Sequence, residues 1–204
     1  MLVREHPGLQ VHVSEVGAPH LVDPTRLETS ARRLYGDTFD TLWGQLAAVP
    51  EENVHVVGGD VIGFECFPSP GHASHHVCYV DGDGTLYAGD AAGVRVQPSP
   101  TVLPPTPPPD FDLDAWLRTL DELERREPER LALIHFGVAE DVGEHLERLR
   151  ARLVEWAERV RDGADEREFV EAGGADLGED RELYEKAMPL WQSYAGIKRY
   201  WEKR

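Results

Sequence analysis

The chain has 204 residues, of which 41% are hydrophobic, and this length and composition fit a single folded domain with a sizeable core. It is strongly acidic, with 38 Asp and Glu residues against 21 Lys and Arg and a formal net charge of −17. Such a charge repels phosphate backbones and anionic lipid surfaces, so we expect neither a nucleic acid nor a membrane as partner. It does not exclude an anionic substrate, because a bound metal ion would reverse the charge locally.

Targeting signals and cysteine usage indicate the compartment. Residues 1–4 do not open a secretory signal, and the longest apolar runs fall well short of a membrane span. The two cysteines, Cys66 and Cys78, lie in separate apolar runs, and we predict reduced thiols rather than a disulfide. These features predict a cytoplasmic protein.

The spacing of apolar residues predicts a mixture of strands and helices over the first two-thirds of the chain. Alternation or short apolar runs predict six strands, at residues 10–14, 54–57, 61–67, 76–80, 85–88 and 131–134. Asp23-Pro24 and Gly36 are typical of the two ends of a helix. A second short helix is predicted after Asp37, with Phe39 and Trp43 on its apolar face.

The remainder of the chain is predicted to be mainly helical. Seven of the twelve residues between Pro98 and Pro109 are prolines, which excludes a helix or central strand and predicts an ordered surface loop. Asp112 is predicted to cap a helix, and apolar spacing over residues 142–160 predicts a long amphipathic one. The aromatic tail, residues 179–204, is interpreted as a packing helix or a dimer contact.

Three polar residues at predicted strand ends are the candidates for chemistry. A Pro-Gly turn places His72 just beyond one strand, Gly89-Asp90 ends another, and His135 follows the apolar strand at residues 131–134. Strand ends can hold ligands in a fixed geometry while leaving room for a substrate. Two imidazoles and one carboxylate are ligand types that zinc, iron or manganese use.

These motifs carry a family resemblance. Pro-Gly-His-x-x-x-His, then Leu-Tyr-Ala-Gly-Asp, then a late strand-end His resemble the second half of the metallo-β-lactamase superfamily, in particular its glyoxalase-II-like branch. The resemblance implies an α/β fold, an αββα sandwich incomplete at the N-terminus, with a helical C-terminal extension. We expect one domain over residues 1–204, with the sheet and ligand motifs in 1–137 and mainly helices in 138–204.

The resemblance also implies roles for individual residues. By position, His72 ligates one metal, Asp90 bridges two metals and is the catalytic residue, and His135 ligates the second. The implied cofactor is zinc, two ions in an intact site, with iron or manganese as alternatives. The implied reaction is hydrolysis of an ester, thioester, lactone or phosphoester of a small molecule by a metal-activated water. We interpret His76 as a residue that supports the ligands rather than as a ligand.

The family's first motif, His-x-His-x-Asp-His, is absent from this sequence. Its place would fall before Met1, so we expect a truncated product, or a subunit that needs a complementing N-terminal segment. Metal occupancy and hydrolysis are then expected to be impaired in this chain. Without its N-terminal strands, the chain would leave an apolar sheet face and an open sheet edge uncovered. We therefore expect a homo-oligomer, with its contact at residues 142–160 or 179–204.

Two other functions stay open. One is a non-catalytic remnant that serves as an interaction module, and the other is an iron-dependent enzyme like the persulfide dioxygenases of the same branch. Metal analysis distinguishes them, because a remnant should bind no metal and a dioxygenase should hold iron. Two further interpretations concern single residues. His145 is predicted on the solvated face of its helix, and Arg95 either meets a substrate anion or forms a surface salt bridge.

Overall fold

A computed structural model describes residues 2–135 and 137–204. The chain divides into two compact units, one ending at Val61 and the other spanning Ile62–Arg204. Both units combine helices with a β-sheet, so the predicted α/β class is confirmed. Among the residues described, no helix is both long and apolar enough to cross a membrane.

The first unit contains four helices and a two-stranded sheet within its described residues. Its helices are α1 Leu2–Glu5, α2 Ala18–Val22, α3 Thr25–Tyr35 and α4 Phe39–Leu42. Strands β1 (Val11–Val13) and β2 (Val54–Val56) pair in parallel, with His12 opposite His55. The predicted strands at residues 10–14 and 54–57 are therefore present, each shortened to three residues.

Helix α3 begins and ends where the sequence predicts. The backbone N–H and the hydroxyl of Thr25 both donate to Asp23 Oδ1, at 3.1 and 2.6 Å, which satisfies a donor at the open helix start. Gly36, with a φ of +53°, ends the helix.

The second predicted helix, α4, is only one turn long. Phe39 is buried, but Leu42 and Trp43 are exposed, so the expected apolar face is not packed. Large exposed apolar side chains occur throughout the described part of this unit: Leu2, Leu9, Val16, Leu27, Leu42, Trp43 and Val56.

The second unit is built on a mixed five-stranded sheet. Its strands, in spatial as well as chain order, are β3 Glu65–Pro68, β4 Val77–Val80, β5 Thr85–Gly89, β6 Arg130–Leu133 and β7 Val138–Ala139. All neighbouring pairs are antiparallel except β5 and β6. The strand predicted at residues 61–67 begins only at Glu65, because Ile62 and Gly63 have positive φ values in a turn. Strand β7 was not predicted.

The helices of the second unit follow or flank this sheet. They are α5 Leu113–Arg125, α6 Val142–Arg161, α7 Glu166–Leu177, α8 Arg181–Ala187 and α9 Leu190–Glu202. Asp112 caps α5 as predicted, since its Oδ1 accepts from the Ala115 N–H at 2.8 Å. The tail predicted as one helix divides into α8 and α9 at Pro189, which cannot continue a helix.

One sheet face and the helices share a single core. The buried members from strands β3 to β7 are Phe67, Cys78, Leu86, Ala88, Leu131, Leu133 and Ala139. Helices α5 and α6 contribute Trp116, Leu120, Leu123, Leu146, Leu149, Leu153 and Trp156. Burying one such large side chain contributes about 1.5–3 kcal/mol, so this cluster is the main source of stability in the unit. Cys66 and Cys78 are both free thiols, in line with the prediction.

The prediction of a surface loop at residues 98–109 is wrong for its central part. Val102, Leu103 and Thr106 are buried, and Leu103 forms an isolated antiparallel bridge with Val94. Proline has no backbone N–H, so a proline-rich segment can pass through an interior with fewer donors left unsatisfied. We call residues 98–109 the proline-rich segment below.

Candidate metal centre

The carboxylate of Asp90 lies between two imidazoles. Asp90 directly follows β5 and opens a short 3₁₀ turn, Asp90–Ala92. His135 Nε2 lies 3.2 Å from Asp90 Oδ1, and His72 Nε2 lies 3.5 Å from Asp90 Oδ2. The structure therefore brings together the three side chains that the sequence places at strand ends.

The charge of Asp90 is fixed by these neighbours. Burial by itself would raise the pKa of the carboxyl, but the hydrogen bond with His135 and the charges of His72 and His135 hold it below its usual range. Asp90 is therefore an anion at neutral pH and can act as a ligand without first losing a proton.

The hydrogen of the His72 ring can be assigned from its partner. Its Nδ1 lies 2.7 Å from the carbonyl oxygen of Pro105, which can only accept, so Nδ1 carries the hydrogen. When the ring is neutral, its Nε2 has the lone pair, and that atom faces an oxygen of Asp90 that also only accepts. Two hydrogen-bond acceptors that face each other need a cation or a shared proton between them. His72 Nε2 and the Asp90 oxygen therefore fit the role of metal ligands.

Helix α5 holds the loop that carries His72. A Cβ on Gly71 would lie 2.3 Å from the Cβ of Trp116, so only glycine allows this approach. The Asp112 N–H donates to the Gly71 carbonyl at 2.9 Å, and the Thr119 hydroxyl donates to the Pro70 carbonyl at 2.6 Å. The Pro-Gly turn recognised in the sequence is therefore fixed against the first turns of α5.

His76 has a protein partner at each ring nitrogen. Its Nε2 accepts from the Asp90 N–H at 3.2 Å, so its Nδ1 carries the hydrogen and donates to Ser69 Oγ at 2.6 Å. Burial, together with the nearby charge of His72, lowers the pKa of His76 to about 4 and keeps the ring neutral. This geometry supports the interpretation that His76 holds the main chain of Asp90 and is not a ligand.

The prediction that His145 faces solvent is wrong. His145 is fully buried, and its Nε2 donates to the Ala92 carbonyl at 2.7 Å, at the end of the turn that begins with Asp90. Burial lowers the pKa of the ring, so it is neutral. The sequence contained a signal for this position, because His145 precedes Leu146 and lies one turn before Leu149 on the apolar stripe of α6.

Arg95 forms an ion pair within the protein. Its guanidinium donates to Asp141 Oδ1 at 2.6 Å and to the Ser99 carbonyl at 3.1 Å. The sequence allowed either a contact with a substrate anion or a surface salt bridge. The structure contains the salt bridge, and it is largely buried, because the Arg95 side chain is only 11% exposed. The hydrogen bond from Arg95 holds the pKa of Asp141 below its usual range.

The set of ligands is incomplete in the part of the chain that the structure describes. No three His, Cys, Asp or Glu side chains there are arranged to hold one metal ion together. The two histidines instead contact different oxygens of the shared carboxylate, which gives each side of Asp90 one imidazole. Zinc sites normally have three or four protein ligands, so this arrangement supplies part of a site.

Comparison with known proteins decides the family. The family model described as the metallo-beta-lactamase superfamily matches residues 3–135, which is more than half of the chain. The chain belongs to the metallo-beta-lactamase superfamily. In general, members of this superfamily bind divalent metals and act as hydrolases. The search of curated proteins found no match.

Solved structures of superfamily proteins share the fold. An archaeal metallo-beta-lactamase superfamily protein from Sulfolobus tokodaii is 21% identical, with a TM-score of 0.68 over 97% of this chain and 73% of that one. A beta-lactamase domain protein from Burkholderia ambifaria is 17% identical, with a TM-score of 0.57 over 95% of this chain and 59% of that one. A metallo-beta-lactamase family protein from Thermus thermophilus is 21% identical, with a TM-score of 0.55 over 95% of this chain and 65% of that one. The chain thus spans less than two thirds of the latter two, and the likeness confirms the predicted fold type.

The turn before Asp90 gives a prediction with a matched control. Gly89 has a φ of +53°, and a Cβ there would lie 2.5 Å from His76 Nε2, whereas Gly178 has a φ of +54° and open space around it. Gly89→Ala and Gly178→Ala should suffer similar backbone strain, but only the first displaces His76. We expect Gly89→Ala to lose about 1–3 kcal/mol more stability in urea unfolding, the usual cost of overpacking. Equal losses would contradict the packing described for His76.

Proposed function

We propose that this chain supplies part of the metal site of a hydrolase that acts on a small-molecule ester, thioester, lactone or phosphoester. His72 and His135 would each hold a metal, and Asp90 would be shared between the two. The observation that carries the proposal is the position of the Asp90 carboxylate between the Nε2 atoms of both histidines. Zinc is the proposed metal, with iron or manganese as alternatives, because all three accept imidazole nitrogen and carboxylate oxygen.

The chemistry divides between the metal and the residues of the chain. A divalent metal, when bound, would lower the pKa of a water molecule so that hydroxide becomes available for hydrolysis near neutral pH. Asp90 contributes a negative charge that is already present, and His72 contributes an Nε2 lone pair fixed by its bond to Pro105. The neutral ring of His76 holds the Asp90 main chain and thereby its carboxylate.

The proposal includes a complementing segment. One histidine and one shared carboxylate leave each metal position with two protein ligands, below the usual three or four. A segment that carries His-x-His-x-Asp-His, a motif that this sequence does not contain, would supply the rest, either in the same polypeptide or from a separate chain. Without it, we propose that zinc binds weakly and that hydrolysis is negligible.

Zinc calorimetry tests this proposal. The chain alone should bind zinc weakly, and a version extended by the His-x-His-x-Asp-His segment should bind about two zinc ions at least 100-fold more tightly. In the extended version, His72→Ala should abolish the gain in zinc affinity, because it removes a ligand. His6→Ala replaces an exposed histidine outside the site and should leave the zinc affinity unchanged. Hydrolysis of esters, thioesters and lactones should appear only in the extended version and should be lost with a chelator.

Three outcomes would contradict the proposal. Tight binding of two zinc ions by the chain alone would mean that other residues are ligands. Absence of zinc binding in both versions would favour the non-catalytic interaction module. Iron in the purified extended protein, with oxygen consumption on persulfides, would replace the hydrolase by the dioxygenase-like alternative.

We also propose that the exposed apolar side chains of the first unit form a contact surface for a second copy of the chain. The apolar residues of α6, where the sequence favoured a dimer contact, are used within the core of the second unit. Leu42, Trp43 and Val56 are each more than half exposed, and covering apolar side chains of this size would favour association.

Light scattering during size-exclusion chromatography tests the contact. The chain at micromolar concentration should elute as a dimer or larger, and Leu42→Lys should shift it towards the monomer, because a charge would enter the contact. Lys186→Leu, on the exposed face of α8, removes a charge outside the contact and serves as a control. A monomer at every concentration would count against self-association.

A further inference from the structure

The proline-rich segment connects the candidate metal centre to the C-terminal helix α9. On one side, the Pro105 carbonyl accepts the Nδ1–H of His72 at 2.7 Å. On the other side, the hydroxyl of Thr106 donates to the Ser193 carbonyl in α9 at 3.0 Å, and Thr106 is fully buried. Two consecutive residues of one segment thus contact a proposed ligand and a distant helix.

Gly196 allows this contact. It lies three residues after Ser193 in α9, and a Cβ on it would lie 1.8 Å from the carbonyl oxygen of Thr106 and 2.9 Å from the carbonyl carbon of Pro107. Both are backbone atoms, so a rotation of a side chain cannot relieve the overlap. Glycine weakens a helix interior, and the close approach of the proline-rich segment gives a physical reason for its presence in α9.

The segment is stiff at this point. Pro104, Pro105 and Pro107 surround Thr106, and each proline ring fixes its own φ near −65°. A displacement of Thr106 can therefore be absorbed only by moving its neighbours, and the nearest of these carries the carbonyl that His72 contacts. A second anchor holds the start of the segment, since the Tyr184 hydroxyl donates to the Thr101 carbonyl at 2.6 Å.

We propose that Gly196 is a positioning residue for His72: by admitting Thr106 it places the Pro105 carbonyl, which keeps the ring hydrogen on Nδ1 and the lone pair on Nε2. If the carbonyl moves away, the hydrogen can occupy Nε2 and bond to Asp90, and that nitrogen is then no longer able to ligate a metal. The consequence for metal binding rests on the proposed function, whereas the position of the hydrogen does not.

Nitrogen-15 NMR of the metal-free chain tests the proposal, because the two ring nitrogens of a neutral histidine have distinct shifts in each tautomer. At a pH at which the ring is neutral, we expect His72 to be the Nδ1–H tautomer in the wild type and a mixture of the two tautomers in Gly196→Ala. The matched control is Gly173→Ala in α7, where a Cβ would lie 3.3 Å from the methyl groups of Leu190 and meets no backbone. In the version extended by the His-x-His-x-Asp-His segment, zinc affinity should fall about 10-fold or more in Gly196→Ala, as is typical when a ligand loses its support, and stay unchanged in Gly173→Ala.

If Gly196→Ala does not fold, a second pair of variants tests whether the contact between Thr106 and α9 fixes the tautomer of His72. Thr106→Val removes the bond to Ser193 with almost no change in shape, and Thr106→Ser keeps it. We expect a mixed His72 signal in the first and the wild-type signal in the second. An unchanged Nδ1–H signal in a folded Gly196→Ala, or in Thr106→Val, would overturn the proposal. If the tautomer changes as expected but the extended protein with the wild-type Gly196 and Thr106 binds no zinc, the proposed function fails and the positioning of His72 stands.

Discussion

The site depends on where the main chain places Asp90. Three side chains from different elements each bond one residue of the turn Asp90–Ala92. His76 accepts from the Asp90 N–H, the Trp116 indole donates to the Ala91 carbonyl, and His145 donates to the Ala92 carbonyl. Leaving one such buried partner unsatisfied costs about 1–3 kcal/mol, so the turn has little freedom to move. The carboxylate is held between two imidazoles because its backbone is held first.

Helix α5 connects the two loops of the site. Trp116 contacts the loop of Asp90 through its indole and the loop of His72 through its Cβ and its ring, whose centroid lies 5.9 Å from that of His72. Because Asp112 caps this helix and also donates its N–H to the Gly71 carbonyl, the start of α5 and the Pro-Gly turn are fixed together. A site at the ends of several strands therefore obtains its relative geometry from one helix packed across them.

The sequence predicted the parts of the site that depend on local pattern. The Pro-Gly turn, the Gly-Asp strand end and the histidine after an apolar strand each have a local signature, and strand ends on one edge of a sheet lie close together. The roles of His145 and the proline-rich segment depend on contacts between residues more than 30 positions apart, such as His72 with Pro105 and His145 with Ala92. The local sequence gave the opposite expectation for both, since it placed His145 on the solvated face of its helix and the proline-rich segment in a surface loop.

In the fold as well, the features set by local sequence were predicted and those set by long-range contacts were not. Helices α3 and α5 begin where Asp23 and Asp112 indicate, because the hydrogen bonds of these carboxylates to the start of each helix are local interactions. Strand β7 has two residues, too few for an alternating pattern, and it exists only because β6 offers it a partner.

The most direct measurement is anomalous diffraction at the zinc absorption edge from crystals of the chain soaked at high zinc concentration. We predict zinc density beside the Nε2 atom of His72, the Nε2 atom of His135 or both, in each case in contact with the carboxylate of Asp90. It also predicts that the Pro105 carbonyl remains on Nδ1 of His72 when zinc is bound. Zinc on other histidines, with no density beside the Asp90 carboxylate at saturation, would contradict this assignment of the site.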